Sequence, residues 1–158
     1  DPFCGGGTLV LEAAHAWPGA TLLASDILPE LADGTRDNVA ASSDREVETR
    51  AGDAAALASL WGDRAPIDAV LANPPFGRQL ARGVDLHGLY GDVFAGLESI
   101  LRPGGVAVML VWRRRTFVGA MGRGPSLERV RARVVEAGGL WIGIEVVRKR
   151  LSAPEQRA

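Results

Sequence analysis

The sequence has one cysteine, Cys4, and two histidines, His15 and His87, among 158 residues. One cysteine excludes an intramolecular disulfide framework, and this thin supply of soft ligands excludes the usual zinc spacings, so no structural metal is expected. Long apolar runs are also missing. No stretch approaches the roughly 20 apolar residues that a membrane-spanning helix requires, and no charged-then-apolar start resembles a signal peptide, which leads us to expect a cytoplasmic protein with no membrane partner. Excess positive charge is absent too: the formal net charge is -1, so the domain as a whole lacks the field that draws proteins onto a phosphate backbone. Any nucleic-acid contact would have to be local. The basic residues are almost all arginine and gather late, in Arg113-Arg114-Arg115, Arg123, the series Arg129, Arg131 and Arg133, and Arg148-Lys149-Arg150. Of these, Arg113 to Arg115 directly follow a strand, where open α/β sheets place their ligands, whereas the later series reads as the solvated face of a helix.

What is present is an alternation of helical and extended patterns. Thr8 to Trp17 repeats its apolar residues with helical period, and Thr21 to Ser25 then reads as a buried strand. A helix is expected from Pro29 to about Ala41, a strand over Val47 to Ala51, a short helix over Ala54 to Leu60 and a strand over Ile67 to Ala72. His87 to Leu101 reads as a helix, Arg102-Pro103-Gly104-Gly105 as a turn, and Val106 to Trp112 as the strongest strand. Ser126 to about Ala137 reads as a charged helix ended by Gly138-Gly139, with a last strand from Leu140 to Val147. Helices and strands at this spacing predict an α/β, doubly wound domain with a mostly parallel sheet and right-handed crossovers. The domain is expected over residues 1–150, with a disordered tail at 151–158. Asp1-Pro2-Phe3 opens where a strand should already have preceded the glycine loop, so we expect a fragment lacking part of its first strand.

Three strand ends carry candidate ligand-binding loops. Asp1-Pro2-Phe3-Cys4-Gly5-Gly6-Gly7-Thr8 can wrap closely around a ligand ahead of a helix N-terminus, because glycine tolerates positive φ and has no Cβ. The offsets do not fit a dinucleotide fingerprint, since Val10 stands where the third glycine belongs, and no lysine closes the loop as in a P-loop. Ser25-Asp26-Ile27 offers a carboxylate about 20 residues further on, suited to ribose hydroxyls, with an N-cap for the next helix as the alternative. Gly52-Asp53-Ala54 offers a second carboxylate, placed to accept from an adenine amine or to cap a helix. Together the three argue for an adenosyl ligand.

Asn73-Pro74-Pro75-Phe76 follows the fourth strand end. Each proline fixes its own φ and holds the preceding residue extended, so the turn is stiff before any ligand arrives. Neither proline has an N–H. The turn therefore presents carbonyl acceptors plus the Asn73 side-chain oxygen, a match for the two donors of an exocyclic base amine. Accepting both hydrogens would let the nitrogen pyramidalise towards a methyl donor, and Phe76 would stack on the base for about 1–3 kcal/mol.

These segments resemble the Rossmann-like methyltransferases with an Asn-Pro-Pro-Tyr/Phe motif, and within them the THUMP-associated RNA guanine-N2 methyltransferases. Asp1 to Thr8, with Glu12-Ala13-Ala14 in the helix behind it, is similar to that group's Asp-Pro-x-Cys-Gly-Ser-Gly-Thr loop. Asn73 to Leu80 is similar to its Asn-Pro-Pro-Tyr-Gly segment, and Leu89-Tyr90 to Gly105 to the helix and turn that follow. The resemblance implies S-adenosylmethionine as cofactor and guanine N2 of tRNA as the methylated position. It places cofactor contacts on Asp1, Cys4, Gly5, Gly7, Thr8, Asp26, Ile27, Asp53, Ala54 and Asn73, and the catalytic turn on Asn73, Pro74, Pro75 and Phe76. RNA would be held through an absent N-terminal domain and through Arg113, Arg114 and Arg115. Gly6 and Phe76 replace the family's commoner serine and tyrosine, and a final antiparallel strand is absent or unrecognised. DNA adenine-N6 and protein glutamine-N5 methyltransferases share the Asn-Pro-Pro turn, and a catalytically silent RNA-binding module would keep the same fold. Cys4, inside the glycine loop, is expected not to act as a nucleophile.

Overall fold

The computed structural model describes residues 1–76 and 83–151, whose contacts fall into two compact units, Asp1–Ala54 and the residues from Ala55 onward. In the first unit, α1 (Thr8–Ala16), β1 (Leu22–Asp26), α2 (Pro29–Ser42) and β2 (Val47–Ala51) alternate as the apolar periods predict. β1 and β2 pair in parallel, Leu22 opposite Val47 through Asp26 opposite Ala51. On the other edge of β1, the Asp1 nitrogen donates to the Leu23 carbonyl at 2.8 Å and the Asp1 carbonyl accepts from Ser25 N–H at 2.8 Å. Pro29 opens α2, where its missing N–H costs nothing. The buried face of α2 consists of Ala32, Thr35 and Val39.

The second unit holds α3 (Leu57–Trp61), β3 (Ile67–Ala72), α4 (Leu86–Ile100), β4 (Leu101–Val111), α5 (Arg114–Ala120), β5 (Leu127–Ala137) and β6 (Leu140–Lys149). Its strands lie in the order β3-β4-β6-β5. β3 and β4 are parallel, whereas β6 runs antiparallel to both β4 and β5. The expected turn at Arg102-Pro103-Gly104-Gly105 sits inside β4 as an irregularity, because Ile67 pairs with Leu101 but Ala69 already with Val106. Gly105 is needed there, since a Cβ would come within 2.9 Å of the Arg102 carbonyl and 3.2 Å of the Asp68 carbonyl. Asp85 caps α4 by accepting from His87 N–H at 3.1 Å. Tyr90, Phe94 and Phe117 form the aromatic centre of the core, with Phe117 edge-on to both partners at centroid distances of 5.5 and 5.0 Å.

One expectation fails here, and one element was not foreseen. Ser126 to Ala137 is not a helix but the edge strand β5, joined to β6 by Gly138-Gly139, whose φ values of 57 and 78° suit a two-residue hairpin turn. Arg129, Arg131 and Arg133 stand two apart, the period of a strand, and Val130, Val134 and Val135 favour extended backbone. The antiparallel ending that sequence reading did not find is therefore present. In addition, Arg114 to Ala120 is helical, anchored by fully buried Phe117. Residues 77–82 and 152–158, which include the Gly77-Arg78-Gln79-Leu80 resemblance and most of the expected disordered tail, lie outside the described residues. Among the described residues no helix is long and apolar enough to cross a membrane.

Candidate functional site

The first unit gathers nine of the expected cofactor residues. Cys4 N–H donates to the Ser25 carbonyl at 2.9 Å and Gly7 N–H to the Cys4 carbonyl at 2.8 Å, which folds the glycine loop back against the end of β1. Gly5 and Gly7 have φ of 51 and 88°, the left-handed region that glycine enters without penalty. Asp26 ties loop to strand: Oδ2 accepts from Gly5 N–H at 3.0 Å and Oδ1 from Leu28 N–H at 3.1 Å. Ile27, beside it, is 64% exposed, an apolar surface at the mouth of a polar loop. Gly52 N–H donates to the Asp26 carbonyl at 2.9 Å, so exposed Asp53 and buried Ala54 follow directly on the Asp26 strand end. Asp1 accepts from Phe3 N–H through its own carboxylate at 2.9 Å. Thr8 is the first residue of α1, where N–H groups have no helical partner.

Two residues that sequence reading passed over hold this loop from behind. Thr35 is fully buried in α2, and its hydroxyl donates to the Gly5 carbonyl at 2.9 Å. A Cβ on Gly7 would lie 3.1 Å from Thr35 Oγ1 and 3.2 Å from its Cα, so the loop and helix touch. Asn38, one turn on, donates to the Gly6 carbonyl at 2.9 Å. The available signal was a polar residue at position i+3 of an otherwise apolar helical face, Ala32-x-x-Thr35. Cys4 is buried, and that burial pushes its thiol pKa up, with a hydrogen bond to Thr35 working the other way. A buried thiol held protonated is a poor nucleophile, and Cys4 belongs to the packing of the loop.

The second unit carries the turn. Ala72 ends β3 opposite Met109 of β4, and Asn73-Pro74-Pro75-Phe76 leaves the sheet there, with Asn73 exposed, Pro74 buried, and Pro75 and Phe76 half-buried. Trp112 and Arg113 leave the same end of the neighbouring strand. Of the three arginines, Arg114 turns inward: its Nε lies 2.7 Å from Oε1 of Glu145, a fully buried residue of β6. Arg129 approaches the other oxygen at 2.6 Å. Burial raises the Glu145 pKa, but the hydrogen bonds from Arg129 and Arg114 outweigh it and hold the carboxyl below its ordinary value. Tyr90 is pushed up to about 12 by burial, with Arg113 opposing. Its hydroxyl has no hydrogen-bond partner among the described residues. Asn73 thus belongs to the second unit, whereas the other cofactor candidates belong to the first.

Each unit carries polar loops at the C-terminal ends of its parallel strands, β1 and β2 in the first and β3 and β4 in the second, as folds of the α/β doubly wound class do. The chain belongs to the family described as UPF0020, RMKL-like, methyltransferase domain, whose model it matches over residues 1–142. It is 34% identical over 150 residues to a tRNA (guanine(6)-N2)-methyltransferase of Thermus thermophilus, covering 94% of this chain and 43% of that protein. The human U6 snRNA (guanine-N(2))-methyltransferase THUMPD2 is 30% identical over 112 residues, covering 70% of this chain and 21% of its own length. The crystal structure of TrmN from Thermus thermophilus superposes with a TM-score of 0.82 at 33% identity, over 94% of this chain and 42% of that one. The chain therefore has the α/β methyltransferase fold and spans less than half the length of these relatives.

Proposed function

We propose that this chain is the catalytic core of an S-adenosylmethionine-dependent enzyme that methylates N2 of guanine in RNA, most specifically tRNA, in the cytoplasm. The observation that carries the reading is the Asn73-Pro74-Pro75-Phe76 turn at the end of β3, in a chain of this family and with guanine-N2 methyltransferases as relatives.

The residues of the first unit suit an adenosyl cofactor by the chemistry of their donors. Asp26 uses one lone pair on each oxygen for Gly5 and Leu28 and keeps others for a ribose diol, and exposed Ile27 offers an apolar surface to the base. Asp53 and Ala54 complete the adenine side. Asp1, Cys4, Gly5, Gly7 and Thr8 line the cofactor's amino-acid end. S-adenosylmethionine, when bound, supplies an electrophilic methyl group. The chain's own part is to hold the amine: Asn73 Oδ1 and the Pro74 carbonyl each accept one hydrogen, and Phe76 stacks on the ring. These bonds strengthen as positive charge grows on nitrogen, the differential binding that lowers a barrier. By comparison with single oxyanion donors, each contributes about 2.7–4 kcal/mol. Pro75 keeps the turn rigid. RNA is held by the part of the protein outside this chain together with the arginines that follow β4, and residues 1–150 act as one catalytic domain.

The test is incubation of the full-length protein with unmodified tRNA, followed by nucleoside mass spectrometry and calorimetric titration of the cofactor. N2-methylguanosine is expected, and N6-methyladenosine as the sole product would overturn the assignment. Asn73→Ala is expected to lower turnover about 100-fold or more at nearly unchanged cofactor affinity. An equal loss of both would move Asn73 into the cofactor site.

A further inference from the structure

The three arginines after β4 are not equivalent. Arg114 is drawn into the fold by Glu145, and Gly143 makes room for the pair, since a Cβ there would stand 2.8 Å from Glu145 Oε1 and 2.9 Å from Arg114 Cδ. Arg113 and Arg115, on either side, are exposed and have no carboxylate partner among the described residues. The Arg113 guanidinium lies over the Trp112 ring, 5.0 Å from its centroid. Such stacking engages the face of the guanidinium and leaves its edge N–H groups for an anion.

Their position is as informative as their charge. β3 and β4 are parallel neighbours, so the Asn73 turn and Arg113 emerge from the same end of the sheet. β6 runs past that end: Gly143 pairs with Val111, and Ile142, Trp141 and Leu140 continue with only β5 beside them. Trp141, on this overhang, is 68% exposed. Cations in the first turn of a helix oppose its dipole, so the helix dipole of α5 gives no reason for arginine at 113 and 115. Nor does the whole domain attract phosphate, with a net charge of -1.

We propose that Arg113 and Arg115 grip the phosphodiester backbone of the RNA beside the base presented at Asn73, and that Glu145 positions them by holding Arg114 inward between them. This rests on the RNA reading above. Arginine's planar fork matches two phosphate oxygens at once, and a guanidinium already stacked has less freedom to lose on binding.

The test is equilibrium binding of unmodified tRNA by the full-length protein across a salt series, with methylation of the same tRNA measured alongside. Arg113→Ala and Arg115→Ala are each expected to reduce the slope of log affinity against log salt by about 0.7–0.9, and the double variant by about twice that, at unchanged cofactor affinity. Arg131→Ala removes an exposed arginine opposite Val146 in mid-strand and should leave the slope as in the wild type. Glu145→Gln should raise KM for tRNA several-fold without moving KM for S-adenosylmethionine. An unchanged slope in the double variant, or an equal drop with Arg131→Ala, overturns the inference while leaving RNA methylation by the wild type intact. If Glu145→Gln fails to fold, the surface pair still decides. Failure of the wild type to methylate any RNA overturns the functional reading itself, and the inference with it.

Discussion

Replacing Thr35 by valine tests whether α2 holds the glycine loop. The two side chains have nearly the same shape, so the packing against Gly7 is kept and only the hydroxyl is lost. In the structure that hydroxyl donates to the Gly5 carbonyl at 2.9 Å from a fully buried position. Losing a neutral hydrogen bond costs about 0.5–1.5 kcal/mol, and leaving a buried carbonyl without its donor about 1–3 kcal/mol. Gly5 is only half-buried, so water can reach its carbonyl and the expected loss lies near the low end, about 1–1.5 kcal/mol. If the loop becomes ordered only as the cofactor binds, up to the same free energy appears in binding, as a Kd for S-adenosylmethionine weakened by up to about 5–10-fold. Urea unfolding gives the first quantity and calorimetric titration the second. Thr35→Ser, which keeps the hydroxyl, should recover most of both. A Thr35→Val protein that unfolds at the wild-type urea concentration and binds cofactor as tightly would show that α2 does not hold the loop.

Four other substitutions have outcomes that the structure predicts. Gly7→Ala places a Cβ at φ 88° against the Thr35 backbone and should cost at least about 1–2 kcal/mol in urea unfolding and abolish cofactor binding. Gly6→Ala, where a Cβ meets nothing within 4 Å, should stay within about 0.5 kcal/mol of wild type. Glu145→Gln should destabilise by about 2–4 kcal/mol at pH 7, less than a wholly buried triad because both arginines are partly solvated. Because the folded Glu145 pKa is depressed, its stabilisation is present above the unfolded value of about 4.3 and is lost as pH falls through the folded one, so the gap between wild type and variant should close in acid. Tyr90→Phe removes a buried hydroxyl that lacks a partner among the described residues and should be neutral or stabilising by about 1 kcal/mol. Since the folded phenol is raised to about 12, the unfolded chain ionises first above its ordinary value of about 10, and the wild type alone should lose this stability between those limits in alkaline urea titrations.

The sequence shows its elements best where one face is buried. Val47 to Ala51 and Ile67 to Ala72 are strands with the bounds that their residues predict, and α1 and α2 end within a residue of expectation. β5 was not legible for the converse reason. It is the outermost strand of its sheet, and of its residues only Leu127 is buried. No apolar alternation can arise in a strand solvated on both faces, and arginines two apart then pass for a charged helix. The Gly-Gly pair carried the better signal, since two positive φ values in succession mark a hairpin more than a helix end. Glu145 misleads in a related way: a carboxylate between Ile144 and Val146 reads as the solvent face of a strand, yet it is wholly buried. Its burial depends on arginines 31 and 16 residues away in sequence, a pairing that no local pattern contains.

Asp26 shows how two local readings can both be incomplete. Read alone, it was either a ribose ligand or the cap of the next helix. The structure gives the N-cap position of α2 to Leu28, with no side-chain cap bond, while Asp26 accepts from the Leu28 N–H just ahead of the helix and from Gly5 N–H across the loop. A carboxylate has about four acceptor sites, and two backbone donors occupy half of them. The structural role therefore does not compete with the proposed binding role; it orients both oxygens in advance of any ligand. Preorganisation of this kind lowers the entropy that binding must overcome. It also predicts that Asp26→Asn, which keeps two acceptor lone pairs on one oxygen and turns the other into a donor facing an N–H, should disturb the glycine loop as well as the proposed ribose contact.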